Sequence, residues 1–196
     1  MGSSSNPLIY LASASPRRSA LLDQIGVPHC VRAVHVDETP YSGEEPHEYV
    51  GRLAVLKAET LWRQLAAAER RPVLGADTAV VLDDEILGKP RDEQDCLRML
   101  GSLSARTHQV FTAVALRATD GWQSRVNVSE VTFRKLADEE IRRYWRSGEP
   151  ADKAGGYAVQ GRAALFIERI AGSYSGIMGL PLFETGELLA ALGARA

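Results

Sequence analysis

Pro72-Val73-Leu74-Gly75-Ala76 and Ala79-Val80-Val81-Leu82 form a continuous apolar run broken only by Asp77-Thr78. A run of this length and β-branched content reads as a strand covered on both faces, so the chain must build a sheet with other elements packed over it. An ionised carboxylate in the middle of such a strand is costly unless it is paired, bound to a metal or protonated. Asp77 is therefore expected as a base or a metal ligand. The alternative is a structural aspartate bonded to backbone N–H groups near a turn, although no turn residue is adjacent.

The remaining pattern alternates strands and helices. Leu8-Ile9-Tyr10-Leu11 reads as a buried strand, followed by a helix from about Pro16 to Ile25 that buries Leu21, Leu22 and Ile25 and stops at Gly26. An imperfect strand pattern covers Cys30 to Val36, and Glu38 lies just past it in a polar loop. A long helix from about Pro46 to Ala67 carries Val50, Leu53, Ala54, Ala58, Leu61 and Leu65 on one stripe, with Lys57 inside it. Asp92 is placed to cap a helix carrying Cys96, Leu97, Met99, Leu100 and Leu103. Two strands near His108–Leu116 and Trp122–Phe133 should form an antiparallel hairpin, followed by a helix around Ile141, Tyr144 and Trp145. A strand over Ala163–Ile170 and a helix from about Phe183 close the chain. The fold class is α/β with a mixed sheet flanked by helices.

Composition sets outer bounds. The chain has 196 residues, 45% of them hydrophobic, which suits one globular domain over 1–196, with residues 1–6 as a flexible polar lead. A net charge of −2 lacks the basic excess of a protein that neutralises many phosphates, so no nucleic acid polymer is expected as partner. No apolar stretch reaches membrane-spanning length and the N-terminus lacks a signal-peptide core, so no membrane association and a cytoplasmic location are expected. Cys30 and Cys96 lie in apolar patterns without metal-ligand spacing and read as reduced core thiols. His29, His35, His47 and His108 likewise lack such spacing and read as surface or satisfied core residues.

Polar residues that interrupt apolar patterns carry the chemistry. Ser13-Ala14-Ser15-Pro16-Arg17-Arg18 puts hydroxyls, two guanidinium groups and a helix N-terminus in one small volume, a combination suited to phosphate, or else an ordinary capped helix with solvated arginines. Lys57 either snorkels from its stripe or joins Lys89, Arg17 and Arg18 around a polyphosphate. Lys89, between Gly88 and Pro90, suits either a phosphate loop or a solvated turn. Gly155, Gly156 and Gly161 allow close approach of a flat ligand, with Gln160 offering donor and acceptor to a base edge, or simply make a bend. No Walker A motif, dinucleotide fingerprint or nucleophile elbow is present.

Ser13-Ala14-Ser15-Pro16-Arg17-Arg18, Gly75-Ala76-Asp77-Thr78, Gly88-Lys89-Pro90, Leu103-Ser104 with Thr107-His108-Gln109-Val110, the segment Asp152–Gly161 and Gly179-Leu180-Pro181-Leu182, in that order, resemble the Maf family of nucleotide pyrophosphatases. The resemblance implies an elongated mixed α/β fold with a central cleft, similar to inosine triphosphate pyrophosphatases. It also implies hydrolysis of nucleoside triphosphates to monophosphate and pyrophosphate with Mg²⁺ or Mn²⁺, and a homodimer. The Asp152–Gly161 block is similar to the branch acting on dTTP and UTP, with the 7-methyl-GTP branch and a non-hydrolytic regulator of cell division as alternatives. By that resemblance Asp77 is the proton acceptor and Glu38 lines the cleft; the mechanism that follows has Glu38 and Asp77 hold part of the metal's shell. Ser13, Arg18, Lys57 and Lys89 line the cleft, while Arg17, Thr78 and Gln160 set preference. Where the family usually has Gly, this chain has Ala105, which is expected to alter a loop.

Overall fold

The computed structural model describes residues 8–193; the expected lead at residues 1–6 lies outside them. The expected mixed sheet is present. Among the described residues it has seven strands, β1 (Ile9–Leu11), β2 (His29–Val31), β3 (Val73–Leu82), β4 (Glu85–Leu87), β5 (Thr107–Ala118), β6 (Gly121–Phe133) and β7 (Ile167–Ala171), in the order β2-β1-β3-β5-β6-β7 with β4 paired to β3. β1 pairs in parallel with β2 and with β3. These parallel pairs need crossovers, supplied by α1 (Pro16–Gln24) and α2 (Pro46–Gln64). β4 returns antiparallel on β3. α3 (Glu93–Leu103) follows, capped as expected by the Asp92 side chain, which accepts a hydrogen bond from the Asp95 N–H at 2.8 Å. β5 and β6 are joined by a connection so short that only antiparallel pairing is possible. α4 (Asp138–Trp145), β7, α5 (Tyr174–Met178) and α6 (Leu182–Gly193) complete the fold.

Several elements depart from the sequence expectations for identifiable reasons. β2 ends at Val31 rather than Val36, because its partner β1 is only three residues long and offers no further ladder. Ile25 lies beyond the last turn of α1 and is 39% exposed, whereas Leu21 and Leu22 are buried as expected. Ser15 occupies the N-cap of α1, but its side chain makes no capping bond. Residues Arg162–Leu165 form a short 3-10 turn, so β7 begins only at Ile167, where it pairs with Phe133 of β6. Cys96 is a buried thiol, but Cys30 is only half-buried. Ala105 lies at the turn between α3 and β5. It adopts φ 59°, the left-handed conformation that glycine takes without strain, and its N–H donates to the Arg134 carbonyl.

The described residues group into two compact units. One comprises 8–77, 112–127 and 179–193. Its core includes Tyr10, Ala12, Ala58, Leu61, Trp62, Leu65 and Val73, which places the apolar stripe of α2 against β1 and β3. Gly75 makes that packing close, since a Cβ there would collide with the Ala54 carbonyl oxygen and lie 2.8 Å from the Ala58 nitrogen. The other unit comprises 78–111 and 128–178. Its core gathers α3, α4 and the ends of β5 and β6 around Phe133, Tyr157, Phe166 and Tyr144, with rings meeting edge to face. His108 lies within this cluster at 2% exposure, its Nε2 2.8 Å from the Tyr157 hydroxyl; it is a core histidine, but only half satisfied, since its buried Nδ1 has no hydrogen-bond partner.

Candidate active site

Close contact of α2 with β3 at Gly75 determines where Lys57 goes. One residue before Ala58 on the buried face of α2, Lys57 reaches β3 two residues beyond Gly75, and its Nζ donates to Asp77 Oδ1 at 2.6 Å. The ammonium is also 2.6 Å from Glu38 Oε1. Lys57 and Asp77 are 8% and 7% exposed, so the pair is buried, while Glu38 approaches from an exposed loop. Lys57 therefore does not snorkel into solvent. It pairs with two carboxylates at once, and its contact with Asp77 is how the apolar strand tolerates that side chain. Burial pushes the Asp77 carboxyl above its usual range; Lys57 and Arg18 act against that rise and Glu38 adds to it.

At the entrance to α1, the Ser13 hydroxyl accepts hydrogen bonds from the Ser15 N–H at 3.2 Å and from Arg18 Nη1 at 3.1 Å. Arg18 Nε donates to the Gly179 carbonyl at 2.8 Å. The guanidinium is thus held from two sides. Burial pulls it below its ordinary value; Asp77 opposes this, the neighbouring Arg17 adds to it, and Glu38 opposes it again. Arg17 follows Pro16 in the first turn of α1, half-buried. Ser13, Arg17, Arg18, Glu38, Lys57 and Asp77 thus come together within one unit, electrostatically coupled through Arg18 and Asp77.

Thr78, Lys89 and Gln160 belong to the other unit. Thr78 continues β3 directly from Asp77 and is half-buried. Lys89 is exposed after β4, and Gln160 is exposed in the glycine-rich segment. These two loops touch, because the Gly155 N–H donates to the Gly88 carbonyl at 2.9 Å. Gly155 has φ 65° and packs so tightly on Val80 that a Cβ would lie 2.9 Å from it. The segment's glycines therefore serve backbone conformation and close packing. Glu149 braces the far end of the segment by accepting from the Arg162 N–H and from the Tyr144 hydroxyl.

Among the described residues no cluster of three or more His, Cys, Asp or Glu side chains could cage a metal ion. The pair Glu38 and Asp77, both within 2.6 Å of one ammonium, is a smaller donor set. It fits a hard divalent cation that takes one or two carboxylates and completes its shell with phosphate oxygens and water.

Sequence patterning missed Gly179, Tyr49 and Arg52 as site residues. Gly179 anchors Arg18, the Tyr49 hydroxyl donates to the Glu38 carbonyl at 2.9 Å, and Arg52 grips the loop that carries Glu38. Only the Gly179-Leu180-Pro181-Leu182 block carried a signal; nothing in the pattern of α2 distinguished Tyr49 or Arg52 from solvated surface residues.

Residues 8–192 match the family model described as Maf-like protein. A protein of Alkalilimnicola ehrlichii named dTTP/UTP pyrophosphatase is 55% identical, with 93% of this chain and 92% of its own length aligned. One of the same name from Aromatoleum aromaticum is 54% identical over 94% of this chain and 95% of its own. Among solved structures, a nucleoside-triphosphatase (dITP/XTP pyrophosphatase) of Mycobacterium abscessus aligns with a TM-score of 0.45 and 17% identity, over 65% of this chain and 75% of its own, too distant to bear on activity. No helix of the described residues is long and apolar enough to cross a membrane. On the family match and the extent of identity with these relatives, the chain belongs to the Maf-like protein family.

Proposed function

We propose that this protein hydrolyses dTTP and UTP to the nucleoside monophosphate and pyrophosphate. Relatives at 49–55% identity that carry the name dTTP/UTP pyrophosphatase support the substrate class. The observation that carries the chemistry is the buried carboxylate of Asp77, held at Oδ1 by Lys57 beside the guanidinium of Arg18.

Water attacks the α-phosphorus, its proton passes to Asp77, the bond from that phosphorus to the bridging oxygen breaks, and pyrophosphate leaves with the bond's electron pair. A carboxyl raised by burial is a better proton acceptor than an ordinary aspartate. Arg18, fixed by Ser13 and Gly179, together with Arg17 and Lys57, stabilises negative charge on the phosphate oxygens without reorganising at the moment of reaction. Glu38 and Asp77 would hold Mg²⁺ or Mn²⁺, which would supply further neutralisation of phosphate oxygens. Lys89 is assigned to phosphate, and Thr78 and Gln160, with Arg17, to recognition of the pyrimidine nucleotide; these assignments rest on the family resemblance.

Incubation with dTTP, UTP and 7-methyl-GTP plus Mg²⁺, with products resolved by chromatography, tests the reading. The expected products are dTMP or UMP with pyrophosphate. Turnover of 7-methyl-GTP alone, release of orthophosphate, or binding without product would each overturn it.

A further inference from the structure

Glu38 lies in a stretch, residues 32–45, that has neither helix nor strand, yet its carboxylate meets Lys57 at 2.6 Å. An exposed glutamate on an irregular loop does not hold such a position unaided, because ordering a long side chain and its backbone costs entropy. α2 supplies the restraint. The Tyr49 hydroxyl donates to the Glu38 backbone carbonyl at 2.9 Å. One turn on, Arg52 spreads its guanidinium over both oxygens of Glu44, Nε to Oε1 at 2.5 Å and Nη2 to Oε2 at 2.7 Å, and Nη2 also donates to the Thr39 carbonyl at 3.2 Å. Tyr41 covers that guanidinium with its ring centroid 4.0 Å from Cζ, and Tyr49 flanks it at 5.6 Å. The Tyr41 N–H returns to Glu44 Oε2 at 3.0 Å and the Thr39 N–H to Asp37 Oδ1 at 2.9 Å. Every residue from Asp37 to Thr39 is thus bonded within the loop or to α2.

Resting on the reading of Glu38 and Asp77 as the divalent-cation pair, we propose that Tyr49 and Arg52 are positioning residues that fix the Glu38 carboxylate for that cation. Neither reaches substrate. Tyr49 sets the height of the Glu38 backbone, and Arg52 fixes the loop that follows it through Thr39 and Glu44. Outer partners of this kind typically change metal affinity by 10–100-fold.

The test compares the full-length wild type with Tyr49→Phe, Arg52→Lys and Glu38→Gln. Tyr49→Phe removes only the hydroxyl, and Arg52→Lys keeps the charge but loses the planar fork, so at least the first should fold normally. Two readouts are needed: amide hydrogen exchange across residues 37–45 in the absence of metal and nucleotide, and the Mg²⁺ concentration giving half-maximal dTTP hydrolysis. The expected result for Tyr49→Phe and Arg52→Lys is faster exchange confined to this loop. The Mg²⁺ requirement should rise roughly tenfold, with turnover recovered at high Mg²⁺. Faster exchange with an unchanged Mg²⁺ requirement would overturn the proposal by making the network purely structural, as would no change in either readout. An unchanged Mg²⁺ requirement in Glu38→Gln would overturn it differently, by removing Glu38 from the cation site.

Discussion

Asp77 and Ala105 show how much a single position can carry. Asp77→Asn keeps the shape of the side chain but removes the proton acceptor and the charge paired with Lys57. Turnover of dTTP should fall roughly 10³-fold while the circular dichroism spectrum stays that of the wild type. A variant retaining a tenth of wild-type turnover would take Asp77 out of the role of base. Ala105 sits at φ 59°, where an L side chain is strained and glycine is not. Ala105→Gly should therefore stabilise the protein by about 1 kcal/mol, read from the urea midpoint, even though glycine also gains freedom in the unfolded chain. Asp77 and Lys57 were legible in the sequence because each breaks an apolar period, and a charge in a buried pattern needs a reason. Tyr49 and Arg52 were not, because a polar residue on the polar side of an amphipathic helix is what the pattern already predicts.

The contact between α2 and β3 is the element-level counterpart. Its closeness depends on Gly75 facing the Ala54 carbonyl and Ala58. The obstacle to a side chain there is backbone, which cannot rotate away, so Gly75→Ala should push α2 outward. A loss of about 2–3 kcal/mol in urea unfolding and a fall in turnover from separation of Lys57 and Asp77 are expected together. Unchanged stability would mean the helix accommodates the methyl. Strongly periodic elements such as α2, β3 and the β5–β6 hairpin were readable from sequence, since their own side chains determine them. β2 and β7 were read too long because a strand's length depends on its partner: β2 stops where β1 stops, and β7 starts where β6 offers a ladder.

At the scale of the whole molecule, stability should depend on pH through His108. Burial among Phe133 and Tyr157 lowers its pKa from 6.5 to about 4, so the folded protein refuses a proton that the unfolded chain accepts. Stability from this group is complete above about pH 6.5 and is lost as pH falls toward about 4, where the difference levels off. The full span is roughly 3 kcal/mol. Urea unfolding at pH 7.5 and pH 5 should show the drop in the wild type and a smaller one in His108→Gln. Equal drops in both would assign the acid sensitivity to other groups. The sheet class and the family were legible in the sequence at this scale, because motif blocks spread along the chain had to be served by one architecture. The division into two compact units was not, as three of the four points where the chain passes between them lie inside β3, β5 and β6 rather than in linkers.

Arg18 takes one of its two restraints from the carbonyl of Gly179, 161 residues further along. During translation the guanidinium can meet this anchor only after the 161 positions that separate them have been made. Messages cut short before that point would yield fragments whose arginine lacks this restraint.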